Sequence, residues 1–288
     1  MEYFGAVYRP PSEARSLIVQ ATIGCSHNKC TFCDMYREKQ FRVRKVEDIL
    51  RDFEEARLRY PLVRRIFLAD GDALIMKTSQ LVEILDYIQL HFPECERVAV
   101  YASPYSVKSK SLEELKLLRS KGLGIGYIGL ESGSDKVLKK INKGVTSAEI
   151  IDCGLKLKEA GIRVSVTAIS GLGGVEDWEE HAIETAKVLS AMNPHYIGLL
   201  TLFMRGDTPL KRDYEAGRFK LLSPEQVVDE AILFLRNIDS PGSVLRSNHV
   251  SNYVNLYGTL NQDRELLIRE LEEARKDEDF RAEYFRML

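Results

Sequence analysis

Leu17-Ile-Val-Gln-Ala-Thr-Ile-Gly-Cys25-Ser-His-Asn-Lys-Cys30-Thr-Phe-Cys33-Asp-Met-Tyr36 is the stretch that decides the reading of this chain. It opens with an apolar, β-branched run, Leu17–Thr22, which predicts a strand. It then turns into a loop that places three cysteines within nine residues, at the C-terminal end of that strand. Three thiolates can ligate three irons of a cubane and leave the fourth iron without a protein ligand. An open metal position is what substrate or cofactor chemistry requires. A single zinc ion is the other reading of the same loop: Cys30-x2-Cys33 is a zinc spacing, and His27 can join the three cysteines as a fourth ligand. The two remaining cysteines, Cys95 and Cys153, read as core residues and cannot by themselves complete a second cubane. Five cysteines clustered in this way fit a reducing cytoplasm and a metal site better than a disulfide framework.

Working outward, short β-branched runs alternate with amphipathic helices. Strand-like runs fall at Leu17–Thr22, Arg65–Ala69, Arg97–Ala102, Gly124–Leu130, Arg163–Ile169 and His195–Thr201, each apolar through most of its length, as parallel strands buried on both faces are. Between them, Ser79–His91 carries Leu81, Ile84, Leu85 and Ile88 on one helical stripe. Ser111/Glu114 and Thr146/Glu149 are capping boxes, and Gly122 and Gly161 sit where helices would end. The pattern predicts an α/β fold, a partial (β/α)6 barrel, with its site at the C-terminal ends of the strands. Residues 1–15 read as a lead-in and 16–212 as the barrel core. Residues 213–288 read as a C-terminal helical and loop extension over the barrel mouth. In that extension a helix is expected from Ser223 to about Ile238, then a polar loop, a charged helix from about Asp263 to Lys276, and a terminal helix.

The chain has 288 residues, of which 44% are hydrophobic and 29% charged, and its 41 Lys+Arg against 43 Asp+Glu leave a net charge of −2. No global basic field is available to collect nucleic acid. The best local patch, Arg37 to Lys45 with Lys39, Arg42 and Arg44, reads equally as a solvated face. No apolar run reaches the roughly 18 residues of a membrane span, and no signal peptide is expected. These features point to the cytoplasm and to no membrane partner.

The cysteine loop resembles that of the radical S-adenosylmethionine (radical SAM) superfamily, with C-x4-C-x2-C in place of the commoner C-x3-C-x2-C. Phe32 matches the aromatic residue that the family places by the adenine. Asp70-Gly71-Asp72, after the second strand, is similar to the family's Gly-Gly-Glu, whose carbonyls and acid receive the cofactor's ammonium. Ile128-Gly-Leu-Glu131-Ser132-Gly133-Ser134 through Gly144 resembles the branch that holds methylthiotransferases, elongator proteins and coproporphyrinogen oxidases. There the resemblance assigns Glu131 and Ser132 to the cofactor, while Ser134 also reads as a helix cap. Thr167 to Gly174, with Gly171, resembles the family's glycine-bearing adenine segment, and Leu202-Phe203-Met204 to Leu210 resembles its "PGTPL". Met35 stands where coproporphyrinogen oxidase has a further cysteine, so a porphyrin substrate is not supported.

The resemblance implies a [4Fe–4S] cluster on Cys25, Cys30 and Cys33, with S-adenosyl-L-methionine bound by Phe32, Asp70, Gly71, Asp72, Glu131, Ser132, Thr167, Gly171 and Phe203. It implies an oxygen-sensitive enzyme that reductively cleaves this cofactor to a 5′-deoxyadenosyl radical, which abstracts hydrogen from an unidentified substrate. A small molecule is expected as substrate rather than nucleic acid, and flavodoxin or ferredoxin as electron donor. A tRNA-modifying radical enzyme and a zinc- or cluster-stabilised binding protein without catalysis are the alternatives. The polar block Arg246–Asn255 is expected to supply substrate contacts, with His249 or Tyr253 as acid, base or hydrogen donor. A plain hydrogen-bonded loop cap is the other reading of that block.

Overall fold

A computed structural model describes residues 1–286. The chain divides into two compact units: Met1–Asn28 with Met35–Ile128 and Cys153–Val164, and Lys29–Asp34 with Gly129–Asp152 and Ser165 onward.

In the first unit, β1 (Leu17–Gln20) is followed by two short strands, β2 (Thr22–Ile23) and β3 (Arg42–Val43), which pair antiparallel with Thr22 opposite Val43. The cysteine loop is thus the loop of a narrow antiparallel ribbon, a feature the sequence reading had merged into one strand. After α1 (Val46–Arg59), β4 (Arg65–Ala69) pairs parallel to β1, with Leu17 opposite Ile66. After α2 (Thr78–His91), β5 (Arg97–Tyr101) pairs parallel to β4. α3 (Pro104–Lys108) and α4 (Leu112–Ser120) lead into β6 (Leu123–Glu131), parallel to β5. Because these strands are parallel, their C-terminal ends, and the loops carrying Cys25, Asp70–Asp72 and Ser103, lie along one edge. Ile66 to Ala69 of β4 are all buried, the mark of a strand covered on both faces. Phe53 of α1 and Phe92 after α2 meet edge to face at 5.7 Å. The Ser111/Glu114 box forms as expected, and Gly122 (φ +104°) and Gly161 (φ +78°) supply the left-handed turns that stop α4 and α6 (Ser147–Glu159).

The second unit holds α5 (Asp135–Lys140), β7 (Arg163–Ser170) from Ser165 on, α7 (Gly174–Met192), β8 (Tyr196–Thr201), α8 (Pro209–Glu215) and α9 (Pro224–Asn237). β7 and β8 are parallel, with Ser165 opposite Tyr196. Their burial alternates, which corrects the expectation of strands buried on both faces. Ala168 and Leu199 turn toward α7 and α9, beside His181 and Phe234. Thr167 and Gly198 therefore face the other way, because successive side chains point to opposite faces.

The segment expected to be a polar loop is corrected as well. It contains β9 (Val244–Arg246), parallel to β8, and β10 (Tyr257–Thr259), antiparallel to β9. Strands of three residues carry too little periodicity to announce themselves in sequence. α10 (Arg264–Lys276) follows, and the expected terminal helix is a 3-10 turn, Glu283–Arg286. Among the described residues no helix is long and apolar enough to cross a membrane.

Candidate cluster and cofactor site

Three residues of the first unit close the stems of the cysteine loop. Asp70, fully buried, accepts on Oδ2 from Gln20 Nε2 (2.9 Å), Gly24 N (3.0 Å) and Lys39 Nζ (2.8 Å). Its other oxygen, Oδ1, is buried without a hydrogen-bond partner, an omission that costs about 1–3 kcal/mol. Gly71 N donates to Gly24 O at 3.0 Å, and Asp70 N to Thr22 O at 3.2 Å, so the loop after β4 is stitched to the strand end that leads into Cys25. Gly71 lies so close that a Cβ there would meet Cys25 Cβ and Tyr36 Cε2 at 2.9 Å and Cys25 Cα at 3.1 Å.

Asp72 is also fully buried. Its Oδ2 accepts from Ser26 Oγ (2.6 Å) and Ser103 Oγ (2.7 Å), and its Oδ1 from Ser103 N (3.3 Å). Burial raises its pKa above the usual carboxylate range, and these bonds oppose the rise. The acid read as an ammonium acceptor therefore joins the cysteine loop to the cap of α3.

In the second unit, the segment bearing Phe32, Cys30 and Cys33 is held by two of the stretches that carried the resemblance. Thr31 N donates to Ile141 O (2.8 Å), Leu210 N donates to Thr31 O (3.0 Å), and Asn142 Nδ2 donates to Lys29 O (3.1 Å). Residues 138–144 and 208–210 thus serve the cysteine segment directly, a role the sequence reading did not assign. Glu131, at φ +65°, folds its carboxylate back over Gly129 and pairs with Lys143 at 2.9 Å. Ser132 is fully buried, and its hydroxyl meets His181 Nδ1 at 2.8 Å and accepts from Ser134 N. The Ser134 hydroxyl caps α5, as expected. Behind β7, Glu230 Oε1 accepts from Gly171 N at 2.9 Å. Complete burial lowers His181 to about 4 and raises Glu230 to about 8, so both are neutral at pH 7. His181 and Glu230 were missed in sequence because each sits on a helix whose apolar stripe gives no hint of a polar partner.

A cavity of about 400 Å³ in the second unit is lined by Ser170, Gly171, Phe203, Tyr214 and Tyr253, among others. Its size falls in the range of small-molecule pockets. The structure separates the two candidates of the C-terminal block. Tyr253 lines the cavity, donates to Glu283, and lies under the Arg286 guanidinium at 3.7 Å. Burial and Glu283 push its pKa up, so it is a neutral phenol. His249 is not among the lining residues. It bonds Ser251 Oγ at 2.8 Å, and burial and then Arg281 lower its pKa. Ser251 and Asn252 lock onto the end of β8, through Thr201 N, Thr201 Oγ1 and Leu199 O.

Two cations of the basic run from Arg37 to Lys45 are taken up inside the protein, while Arg42 and Lys45 stay exposed. Lys39 is in the Asp70 pair, Arg44 is buried against Asp52 at 2.6 Å, and Arg42 lies over the Phe4 ring.

Whether these residues suit an iron–sulfur cluster turns on the donor set and its surroundings. No disulfide ties up the loop's cysteines among the described residues, and all three are partly accessible. The bare Cα of Gly71 brings peptide backbone against the first of them. Among the described residues, no three or more His, Cys, Asp or Glu side chains gather around one metal-ion position. Thiolates on a cubane each take a different iron, so three cysteines in one loop are a donor set for it. The residues fit the cluster.

A parallel α/β fold with three thiols in the loop between β2 and β3 defines a class of protein built around an iron–sulfur cluster at its strand ends. The chain belongs to the radical SAM superfamily, whose family description matches residues 19–186. It is 26% identical over 230 residues to an uncharacterised protein of Methanocaldococcus jannaschii, covering 76% of this chain and 70% of that one. It is 23% identical to the heme chaperone HemW of Bacillus subtilis, covering 80% of this chain and 61% of the chaperone. The crystal structure of methylornithine synthase (PylB) aligns with a TM-score of 0.55 at 16% identity, over 92% of this chain and 84% of that one. At that identity the likeness shows the fold, the partial barrel expected from the strand–helix alternation.

Proposed function

We propose that this chain is a radical SAM enzyme in which Cys25, Cys30 and Cys33 hold a [4Fe–4S] cluster. The observation that carries the reading is the fit of Gly71 against Cys25, which sets the backbone after β4 beside a cluster ligand. Held by these cysteines, the cluster would supply the one electron needed to cleave S-adenosylmethionine reductively to methionine and a 5′-deoxyadenosyl radical, the species that would take hydrogen from the substrate.

The chain's own residues orient these groups. The cofactor's ammonium is assigned to the peptide carbonyls of Asp70 and Gly71, because Asp70 Oδ2 and both Asp72 carboxylate oxygens are bonded inside the protein and the Asp72 carbonyl accepts from Ile75 N at 3.3 Å. Glu131, Thr167, Gly171 and Phe203 offer an acid, a hydroxyl, a bare Cα and an aromatic face for the rest of the cofactor, while Ser132 acts through His181. Phe203 and Tyr253 present aromatic faces to the cavity. Tyr253, a neutral phenol, is favoured over His249 as hydrogen donor. Residues 213–288 are proposed to cover the substrate entrance, the substrate to be a small molecule, the reductant a flavodoxin or ferredoxin, and the compartment the cytoplasm.

Anaerobic reconstitution tests the reading. About four irons and four sulfides per chain are expected, with release of 5′-deoxyadenosine on adding dithionite and S-adenosylmethionine. Cys30→Ala should abolish both. An intact cluster that releases none refutes the enzyme. The similarity to HemW over 80% of this chain supports a second reading, a carrier of heme. A Soret band that persists through gel filtration, with no 5′-deoxyadenosine, would select it.

A further inference from the structure

Asp70 stands where the family commonly has glycine, and the first cysteine gap is one residue longer than usual. We propose that Asp70, whose Oδ2 is bonded at both stems of the cysteine loop, is a positioning residue that clasps it; this rests on the cluster reading above.

One carboxylate oxygen joins both stems of the loop. Gly24, which donates its N–H, immediately precedes Cys25, and Lys39, which donates its ammonium, follows Tyr36 at the far end. Gln20 fixes the same oxygen to β1. Lys39 is itself committed, since Nζ also donates to Ala6 O and lies 5.5 Å from the Tyr36 ring centroid. The β2–β3 ribbon closes the loop on the outer side of this clasp, with Ile23 opposite Arg42. All three cysteines lie between the two clasped residues. Closing a loop at both stems removes conformers it would otherwise sample before the cluster binds.

The pair is an ion pair with Asp70 fully buried and the Lys39 side chain only 10% exposed. Charge-assisted bonds are the strong ones, and removing one partner leaves the other charge buried and uncompensated.

The test uses the full chain, with Asp70→Asn, Asp70→Gly, Lys39→Met and the double variant Asp70→Asn/Lys39→Met. In the metal-free protein, amide exchange across residues 24–39 should rise about tenfold or more in each single variant, with the rest of the chain unchanged. After anaerobic reconstitution, the singles should bind several-fold less iron and sulfide and show a broadened or shifted EPR signal on adding S-adenosylmethionine. The double variant should recover part of both, since it restores charge balance. A merely structural pair would show the same recovery in melting temperature but would leave iron and sulfide loading per folded chain, and the EPR signal, at wild-type values in every variant.

Wild-type loading with wild-type loop exchange in Asp70→Asn or Asp70→Gly overturns the clasp. Should Asp70 variants fail to fold, Lys39→Met alone decides, by the same two readouts. If wild-type protein itself binds no cluster, the underlying reading fails; if it binds one and the variants match it, only the clasp fails.

Discussion

Adding one methyl group at Gly71 tests whether the backbone after β4 is pressed against the first cluster ligand. The new Cβ would stand 2.9 Å from Cys25 Cβ, 2.9 Å from Tyr36 Cε2 and 3.1 Å from Cys25 Cα. Carbon atoms rest at about 3.5–4.0 Å, so neighbours must recede by roughly 0.6–1 Å. Neither can do so cheaply. Gly24 N, one residue before Cys25, is held by Asp70, and the buried Tyr36 ring packs edge to face on Tyr8 at 5.5 Å. Overpacking of this kind costs about 1–3 kcal/mol, and about 2–4 °C of melting temperature per kcal/mol in a chain of this size, or roughly 2–12 °C in all. Part of the displacement falls on Cys25, so Gly71→Ala should also bind less iron and sulfide than its loss of stability explains. Gly217→Ala is the control: φ is +72° and no atom lies within 4 Å, so only backbone strain of about 1–2 kcal/mol applies. The assay is thermal unfolding of the metal-free protein beside iron and sulfide after reconstitution. A Gly71→Ala protein with wild-type melting and full loading refutes the reasoning, and so does a Gly217→Ala protein that loses cluster.

Stability should depend on pH through Glu230 and His181. Glu230 is held at about 8, well above its ordinary 4.5, so the native state binds that proton more tightly than the unfolded chain. Its contribution is complete below about pH 4.5 and is lost as pH rises toward 8, with a limiting slope of about 1.4 kcal/mol per pH unit. Glu230→Gln should remove this decline, so mutant and wild-type urea midpoints diverge with rising pH; parallel curves would contradict the assignment. His181, lowered to about 4, acts in the opposite sense, and wild-type stability falls as pH drops from about 6.5 toward 4. With Lys39 and Arg44 committed to buried pairs, tRNA should bind weakly and with a shallow salt dependence. A steep fall of log K with log salt in a filter-binding assay would show a basic surface formed elsewhere.

Local chemistry made much of this molecule legible before folding. The cysteine spacing, the apolar runs and the Ser111/Glu114 and Thr146/Glu149 boxes depend on neighbours a few residues apart, and they appear at their expected places, save the first run, which divides into β1 and β2. The three-residue β9 and the alternation of β7 were not legible, because a strand's partner and its exposed face are set by what packs on it. The site shows the same division. Residue types at the strand ends marked Asp70, Asp72, Glu131 and Ser132, but not where their side chains would go. Asp70 found Lys39 across 31 residues, Ser132 found His181 across 49, and Gly171 found Glu230 across 59.

The sequence by itself determined the class of this protein: a strand–helix repeat, three thiolates after the first strand, and glycines and acids after later ones. Those features are local, so they can be read in order along the chain. The tertiary structure alone decided that two acids of the second motif turn inward to hold the cysteine loop, and that Tyr253 rather than His249 lines the cavity. A side chain's direction follows from partners distant in sequence and from the desolvation cost of leaving it unpaired. No reading of spacing contains that information.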